Sequence, residues 1–395
     1  MPPDTDRLRA TVEHLASFDR PSASPGEHQA AQWIAERLRD EGLDARVETE
    51  RAHGTYWVPM GLLSLAGGLA GFAAKRGGRR VGRAAAALGL AAAAGIADEV
   101  SAGPHVLRRA LPSRDTFNVV AEAGDPAGEQ TLVFVSHHDA AHGGFIFNER
   151  FIHLLADTWP EWWDAKETSP QIMQLVASGP ALAGLGALTQ IRPLRAAGTA
   201  ISFGSMLAFL DIGGREVVPG ANDNLSAVAV IVELARLLRE EPVPGVRVLL
   251  VSTGSEESFM EGMRGFVARH AHSLDPATTR FVCVESVGSP ELIVIEGEGM
   301  LKMDDYSPEA CDLVAAGARR AGLPLRRGLK LGLATDGLIA HRAGYRTATL
   351  ASITRYKTPA NYHSQRDKPS NVDYETVRRA TAVCRAVVEE VAAGA

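Results

Sequence analysis

Five short stretches place a histidine or a carboxylate at the end of an apolar run or in a polar loop. "TLVFVSHHDA" ends in His137, His138 and Asp139, and "VVPGANDNLSAVAV" sets Asp223 in a Gly/Asn loop just before a helical pattern. "VRVLLVSTGSEE" ends in the adjacent acids Glu256 and Glu257, "RFVCVESVG" reaches Glu285, and "TPANYHSQRDKPSNV" carries Tyr362 and His363. Taken singly, each has a plain reading: Glu pairs are usually solvated, Asp223 fits a helix N-cap, and His363 fits a loop. Taken together they are two imidazoles and several carboxylates gathered where buried strands end. Buried carboxylates are costly unless paired or bound to a metal, and this donor set is that of zinc sites. Nucleophile chemistry is set aside, because the chain has no G-x-S-x-G elbow and no cysteine beside a plausible histidine.

The elements that must position these residues are legible as apolar runs. "TFNVVAEA", "TLVFVSH", "VRVLLVS" and "RFVCVES" read as short buried strands, and "DARVETE" as a half-exposed one. Amphipathic helical patterns lie among them: "NLSAVAVIVELARLLRE", "FMEGMRGFVARHA", "SPEACDLVAAGARRAG" and "YETVRRATAVCRAVVEEVA". Near the start, Ser24 fits an N-cap, Pro25 the first helical position and Glu27 the acid of a capping box, with Ala30, Trp33, Ile34 and Leu38 on one apolar face and Gly42 ending the helix. The alternation predicts an α/β fold with a largely parallel or mixed central sheet, helices on both faces, and sites at the carboxyl ends of strands.

Two stretches break that pattern. Tyr56 to Ala74 carries no charge, and the basic "KRGGRRVGR" then leads into the Ala-rich "AAAALGLAAAAGIA". Later, "IMQLVASGPALAGLGALTQ", "IRPLR" and "AAGTAISFGSMLAFL" follow one another. Both read as hydrophobic helical hairpins, over 55–112 and 151–211, interrupting a single catalytic domain that runs over 1–395. Membrane association and a soluble bundle that caps the enzyme or pairs two copies are equally compatible with them. Both tips are basic, which favours tips in the cytoplasm and the catalytic part outside. Without a signal peptide, that arrangement requires the N-terminal segment itself to cross, so the orientation stays open. The polar start "MPPDTDRLRATVEHL" has no apolar core of a cleavable signal peptide, so cytoplasmic and membrane-bound locations stay open.

The bulk numbers exclude other classes. With 41 basic against 47 acidic residues the net charge is -6, and no basic field suited to nucleic acid is present. Three scattered cysteines, none in a CxxC spacing, argue against a disulfide framework or a cysteine metal site, and Cys283 reads as a core residue.

The ordered set H-x-D, G-x-x-D-N-x-S, E-E, E and Y-H resembles family M28, the co-catalytic zinc aminopeptidases. The likeness covers nearly the whole chain outside the hairpins. It implies a zinc-exopeptidase-like fold and two Zn2+ per chain: His137 and Glu285 on one, Glu257 and His363 on the other, with Asp223 bridging. It further implies that Asp139 holds the His137 imidazole in its ligating tautomer, and that Tyr362 hydrogen-bonds the tetrahedral intermediate. Adjacent residues on an extended segment face opposite sides, so Glu257 turns to the metal while Glu256 serves as general base toward the attacking water. The implied substrate is a peptide or peptide-like amide. His138 and His142 are expected in structural or rim roles and His341 on a helix surface; Asp336 is either an acid near the site or a helix N-cap.

The chain departs from the family in the long gap between His137 and Asp223 and in "NLSA" after Asp223, which bears on substrate choice. Two rival readings remain. One is a glutaminyl-cyclase-like acyltransferase with a single zinc; the other is a non-catalytic receptor-like or membrane scaffold, which would be expected to have lost ligands that this chain retains.

Overall fold

The computed structural model describes residues 2–101 and 103–394. Its centre is a nine-stranded mixed sheet: β1 (Ala45–Ala52), β2 (Arg114–Gly124), β3 (Gln130–His137), β4 (Val246–Thr253), β5 (Thr279–Glu285), β6 (Glu291–Glu298), β7 (Asp304–Asp305), β8 (Arg326–Leu331) and β9 (Arg346–Ile353). The strands lie in the order β1-β2-β4-β3-β5-β9-β6-β7, with β8 beside β6. The middle four, β4, β3, β5 and β9, are mutually parallel. On one side β2 flanks them antiparallel, with β1 antiparallel to β2 beyond it, and on the other side β6 pairs antiparallel with β9. The carboxyl ends of three neighbouring strands therefore meet at one edge, where His137 stands opposite Thr253 in register.

The sheet is buried on both faces, and its side chains alternate between two cores. Leu132 and Phe134 of β3, with Val282 and Val284 of β5, join one apolar cluster. Helices α1 (Thr5–Leu15), α2 (Pro25–Asp40), α9 (Ser226–Glu240), α11 (Pro308–Arg320) and α13 (Tyr374–Ala392) cover that face. Val133, Val135, Phe281 and Cys283 point the other way, under α10 (Glu261–His270) and α12 (Asp336–Arg342). This two-sided burial explains why the strands read as unbroken apolar runs. All three cysteines are free and buried.

The two hydrophobic stretches form α3 (Trp57–Ala74) with α4 (Arg79–Val100), and α7 (Ile172–Thr189) with α8 (Arg192–Gly213). The four helices pack on one another as a bundle. All four are long and apolar enough to cross a membrane by length and composition. The bundle's root merges with the second core through Tyr56, Met60, Ile96, Phe209 and Ile212. Between the hairpins lie the short helices α5 (Arg150–Thr158) and α6 (Pro160–Asp164). They are tied to the loop after β9, where Lys357 Nζ donates to the carbonyls of Trp163, Asp164 and Lys166.

Candidate metal centre

Parallel pairing delivers the site. β3 ends in His137, β5 ends in Glu285, and β4 runs into the turn that holds Glu256 and Glu257. Asp223 sits in the turn Ala221–Leu225 ahead of α9, and His363 in the loop beyond β9. His137 Nε2 lies 3.3 Å from Asp223 Oδ1 and 3.5 Å from Glu285 Oε1. On the other side, His363 Nε2 lies 3.3 Å from Asp223 Oδ2 and 3.2 Å from Glu257 Oε2. Asp223 thus turns one oxygen to each histidine. Two donor triads result, His137/Asp223/Glu285 and Asp223/Glu257/His363, and a third set, His137/Glu256/Glu257, spans both; within each, the donor atoms lie within 4.8 Å of one another.

Glu256 is set slightly apart, its Oε2 3.9 Å from His137 Nε2. The turn that carries the two acids is not extended: β4 stops at Thr253, and Ser255 has a left-handed backbone at φ 51°. The expectation that strand alternation separates Glu256 from Glu257 is therefore corrected. Asp139 organises the turn instead, accepting the backbone N–H groups of Glu256 (3.0 Å) and Glu257 (3.1 Å) on its two oxygens. The same carboxylate accepts the Ser22 hydroxyl at 2.6 Å and stands 3.3 Å from His137 Nδ1. One buried acid thereby fixes an imidazole and two neighbouring glutamates.

Tyr362 stacks on the His363 ring at 3.9 Å, and Phe147 meets that ring edge-on. Burial and the nearby carboxylates Asp223, Glu257 and Glu256 push the Tyr362 phenol well up, so its O–H stays a donor. His138 is buried with Nδ1 3.0 Å from Ser252 Oγ, and burial takes it down to about 3. His142 packs on Trp57 near the site, its Nδ1 2.7 Å from the carbonyl of Arg215. Asp336 is a buried acid bonded to Thr253 Oγ1, while Thr335 is the true N-cap of α12. His341 is half-buried against Tyr306.

Several supports carry no signal in sequence. Arg20, fully buried, donates to the carbonyls of His138 (2.8 Å), Pro219 (2.7 Å) and Gly220 (2.9 Å), clamping the end of β3 to the Asp223 turn. Gly220 is required there: its φ is +58°, and a Cβ would lie 2.6 Å from the Asp223 carbonyl oxygen. Asp367 accepts the backbone N–H groups of Asn222 and Asp223, and Asn224 Nδ2 donates to Glu285 Oε2 at 2.8 Å. Ser24 caps α2 as expected, but the Glu27 carboxylate does not close a capping box. It accepts from Ala23 N, Thr116 Oγ1 and Ser255 N, bracing the turn beneath Glu256.

The donor set fits metal ions on two counts. Donors around a tetrahedral ion with bonds of about 2.1 Å lie about 3.4 Å apart. The histidine–carboxylate distances of 3.2 to 3.5 Å match that spacing and lie at or beyond the long end of N–H···O hydrogen bonds. The second count is charge. Burial drives Glu285 up to about 8 and raises Glu257 and Glu256, with neighbouring carboxylates adding to the effect and the histidines opposing it. Burial works to lower His137 and His363, yet the surrounding acids win and raise both, His363 to about 10. Glu257 Oε1 and His363 Nδ1 are buried with no hydrogen-bond partner. A dication relieves this crowding of negative charge.

Similarity to known proteins follows the same lines. Residues 206–388 match the family model described as peptidase family M28, a stretch that holds Asp223, Glu256, Glu257, Glu285, Tyr362 and His363 but not His137 or Asp139. The fold is that of the zinc exopeptidases. It resembles a Zn-dependent exopeptidase from Parabacteroides distasonis, at 13% identity over 98% of both chains with a TM-score of 0.56. It likewise resembles a zinc aminopeptidase from Bacillus subtilis, at 14% identity over 99% of this chain and 95% of that one, TM-score 0.56. A glutaminyl cyclase from Porphyromonas gingivalis has a similar fold, at 13% identity over 98% of this chain and 99% of that one, TM-score 0.55. No curated protein matches the sequence. The resemblance to M28 drawn from the motifs is borne out, and the comparisons support a metallopeptidase.

Proposed function

We propose that the chain is an aminopeptidase that hydrolyses the N-terminal bond of peptides or a peptide-like amide, using two zinc ions bridged by Asp223. The observation that supports this reading is the Asp223 carboxylate, with Oδ1 and Oδ2 each 3.3 Å from a different histidine. His137 and Glu285 would complete one ion's protein ligands, and Glu257 and His363 the other's. When bound, the pair supplies Lewis acidity that polarises the scissile carbonyl and acidifies a water.

The remaining steps fall to the chain's own groups. Glu256 takes the proton from the attacking water and hands it to the leaving amine nitrogen as the C–N bond breaks. Its burial and its acidic neighbours favour proton uptake. The Tyr362 O–H donates to the carbonyl oxygen as negative charge develops there. Asp139 keeps His137 oriented and the Glu256–Glu257 turn in place. A cleft of about 930 Å³ opens beside His363, with Glu149 and Glu216 as well as Arg150, Arg215 and Arg366 on its wall. Groups of both signs suit a substrate with charged termini.

The one-metal cyclase-like reading is the alternative, and the completeness of both donor triads favours the two-metal enzyme over it. Metal analysis of purified protein, alongside aminoacyl anilides with free and acetylated amino groups, tests the proposal. Two zincs per chain and turnover of the free-amino substrate alone are expected. One zinc per chain, or equal turnover of the acetylated substrate, would defeat it.

A further inference from the structure

The four-helix bundle has its large side chains on the outside. In α3 the buried positions include Gly67, Gly68, Ala70 and Gly71, while Leu69 and Phe72 are exposed, Phe72 to 50%. In α7 the buried set includes Gly179, Ala183, Gly184 and Ala187, and Leu188 is 55% exposed. In water that arrangement discards the main driving force of a bundle. In lipid it is the expected one, because apolar side chains lose nothing by facing acyl chains and small residues let helices approach closely.

Length and charge point the same way. Helices of 18 and 22 residues measure about 27 and 33 Å, near the thickness of a bilayer's hydrocarbon core. No Asp, Glu, Lys or Arg occurs in 57–74, 84–97, 172–189 or 196–210. Charge collects at the two ends instead. The tips carry five Lys or Arg in 75–83 and two more in 190–195, with no acid. The root carries Asp98, Glu99 and Asp211, and close by in sequence Trp57, Trp159 and Trp162, the last two exposed. Excess Lys and Arg marks the cytoplasmic face of a membrane, and tryptophans sit at either interface.

We propose that α3, α4, α7 and α8 are embedded in a lipid bilayer, with the basic tips on the cytoplasmic side and the metal centre on the opposite side, its cleft opening at the membrane surface. The cleft wall continues directly from the root: Gly214, Arg215 and Glu216 follow the end of α8, and Phe145 N donates to Asp211 Oδ2 at 2.7 Å. Exposed Phe145, Ile146 and Leu154 extend the apolar rim from there. Resting on the peptidase reading, the substrate class that fits such a cleft is a polypeptide held at the lipid–water interface, by an anchor of its own or by partial insertion.

The full-length protein in bacterial membranes tests the embedding without any assay of activity. Because the native cysteines are buried, a membrane-impermeant maleimide can report on Gly78→Cys at a tip and Ser273→Cys on the head separately. Expected is resistance to alkaline carbonate extraction, labelling of Ser273→Cys in intact spheroplasts, and labelling of Gly78→Cys only after permeabilisation. Extraction by carbonate, labelling of both from one side, or a detergent-free dimer that shields the bundle would overturn the proposal. In vesicles of phosphatidylcholine and phosphatidylglycerol, the zinc-loaded enzyme should cleave a lipid-anchored peptide at least about tenfold faster than the same peptide free in solution, by local concentration. Equal rates would sink the substrate class. Cleavage of neither would sink the peptidase reading instead, and leave the labelling result standing.

Discussion

The head and the bundle of this molecule solve opposite packing problems. In the head, Phe134 is fully buried, and β3, β4 and β5 each send large side chains to both faces. In the bundle, glycines and alanines fill the interior and leucines line the outside. Gly71 and Gly198 lie so close to neighbouring helices that a Cβ would come within 2.0 Å of Thr199 Oγ1 and 2.2 Å of Ala183 N. The head holds its chemistry by burying polar groups and pairing them, as Asp139, Arg20 and Asp367 do. The bundle interior is mostly glycine and alanine, with the hydroxyls of Ser64 and Ser202 buried among them. Catalysis and anchoring are thus separable, and mutation should separate them.

The largest effect is expected at Glu256. Glu256→Gln keeps the donor atoms of both triads and removes only the group assigned to proton transfer. Turnover should fall about 10³-fold, with zinc content and melting temperature unchanged. Leu188→Ala, on the outside of the bundle, should leave turnover alone. A Glu256→Gln enzyme that keeps a third of its rate would remove the acid from the mechanism.

Next comes a pair of truncations read by thermal or chemical unfolding in the same detergent. Phe134→Ala leaves a cavity in the sheet's core and should lower stability by about 3–5 kcal/mol. Leu210→Ala removes a side chain that is 62% exposed and should change it by less than about 0.5 kcal/mol. Comparable losses would show that the outside of the bundle is packed against something that holds it as firmly as the core holds Phe134.

Much of this was legible because the residues concerned obey period or order. The parallel strands are unbroken apolar runs, and the five candidate ligands occupy the ends of those strands or the loops beside them. Harder to read were β6 and β9, short runs hidden between helical patterns, of which β9 completes the parallel core. The supports of the site were out of reach for a physical reason. Arg20, Glu27 and Asp367 have the side chains of surface residues, and only long-range contacts, 118 residues apart for Arg20 and His138, make them structural. Glu27 shows the limit best: its spacing is that of a capping box, yet tertiary partners draw its carboxylate to the turn beneath Glu256.

The smallest effect is expected at the seam between the two regions. His105 follows α4 and accepts from Arg264 of α10, with the two nitrogens 3.0 Å apart, while its backbone N–H bonds Asp98 at the bundle's root. Beside it, buried Arg108 joins Glu99 of the bundle to Glu261 of the head. Burial, then repulsion from Arg264 and Arg108, brings His105 down to about 3, so the folded protein keeps it neutral. The unfolded chain, with an ordinary histidine pKa of about 6.5, takes up that proton first as the medium is acidified. Stability should therefore be full above about pH 6.5 and decline toward pH 3, by up to about 2 kcal/mol between pH 7 and pH 5. His105→Gln keeps an acceptor for Arg264 and cannot titrate in this range. Unfolding followed from pH 7 to pH 5 should show a flatter decline in that variant, while zinc content at pH 7 stays the same. Identical slopes in the two proteins would move the acid sensitivity away from the seam and back into the head.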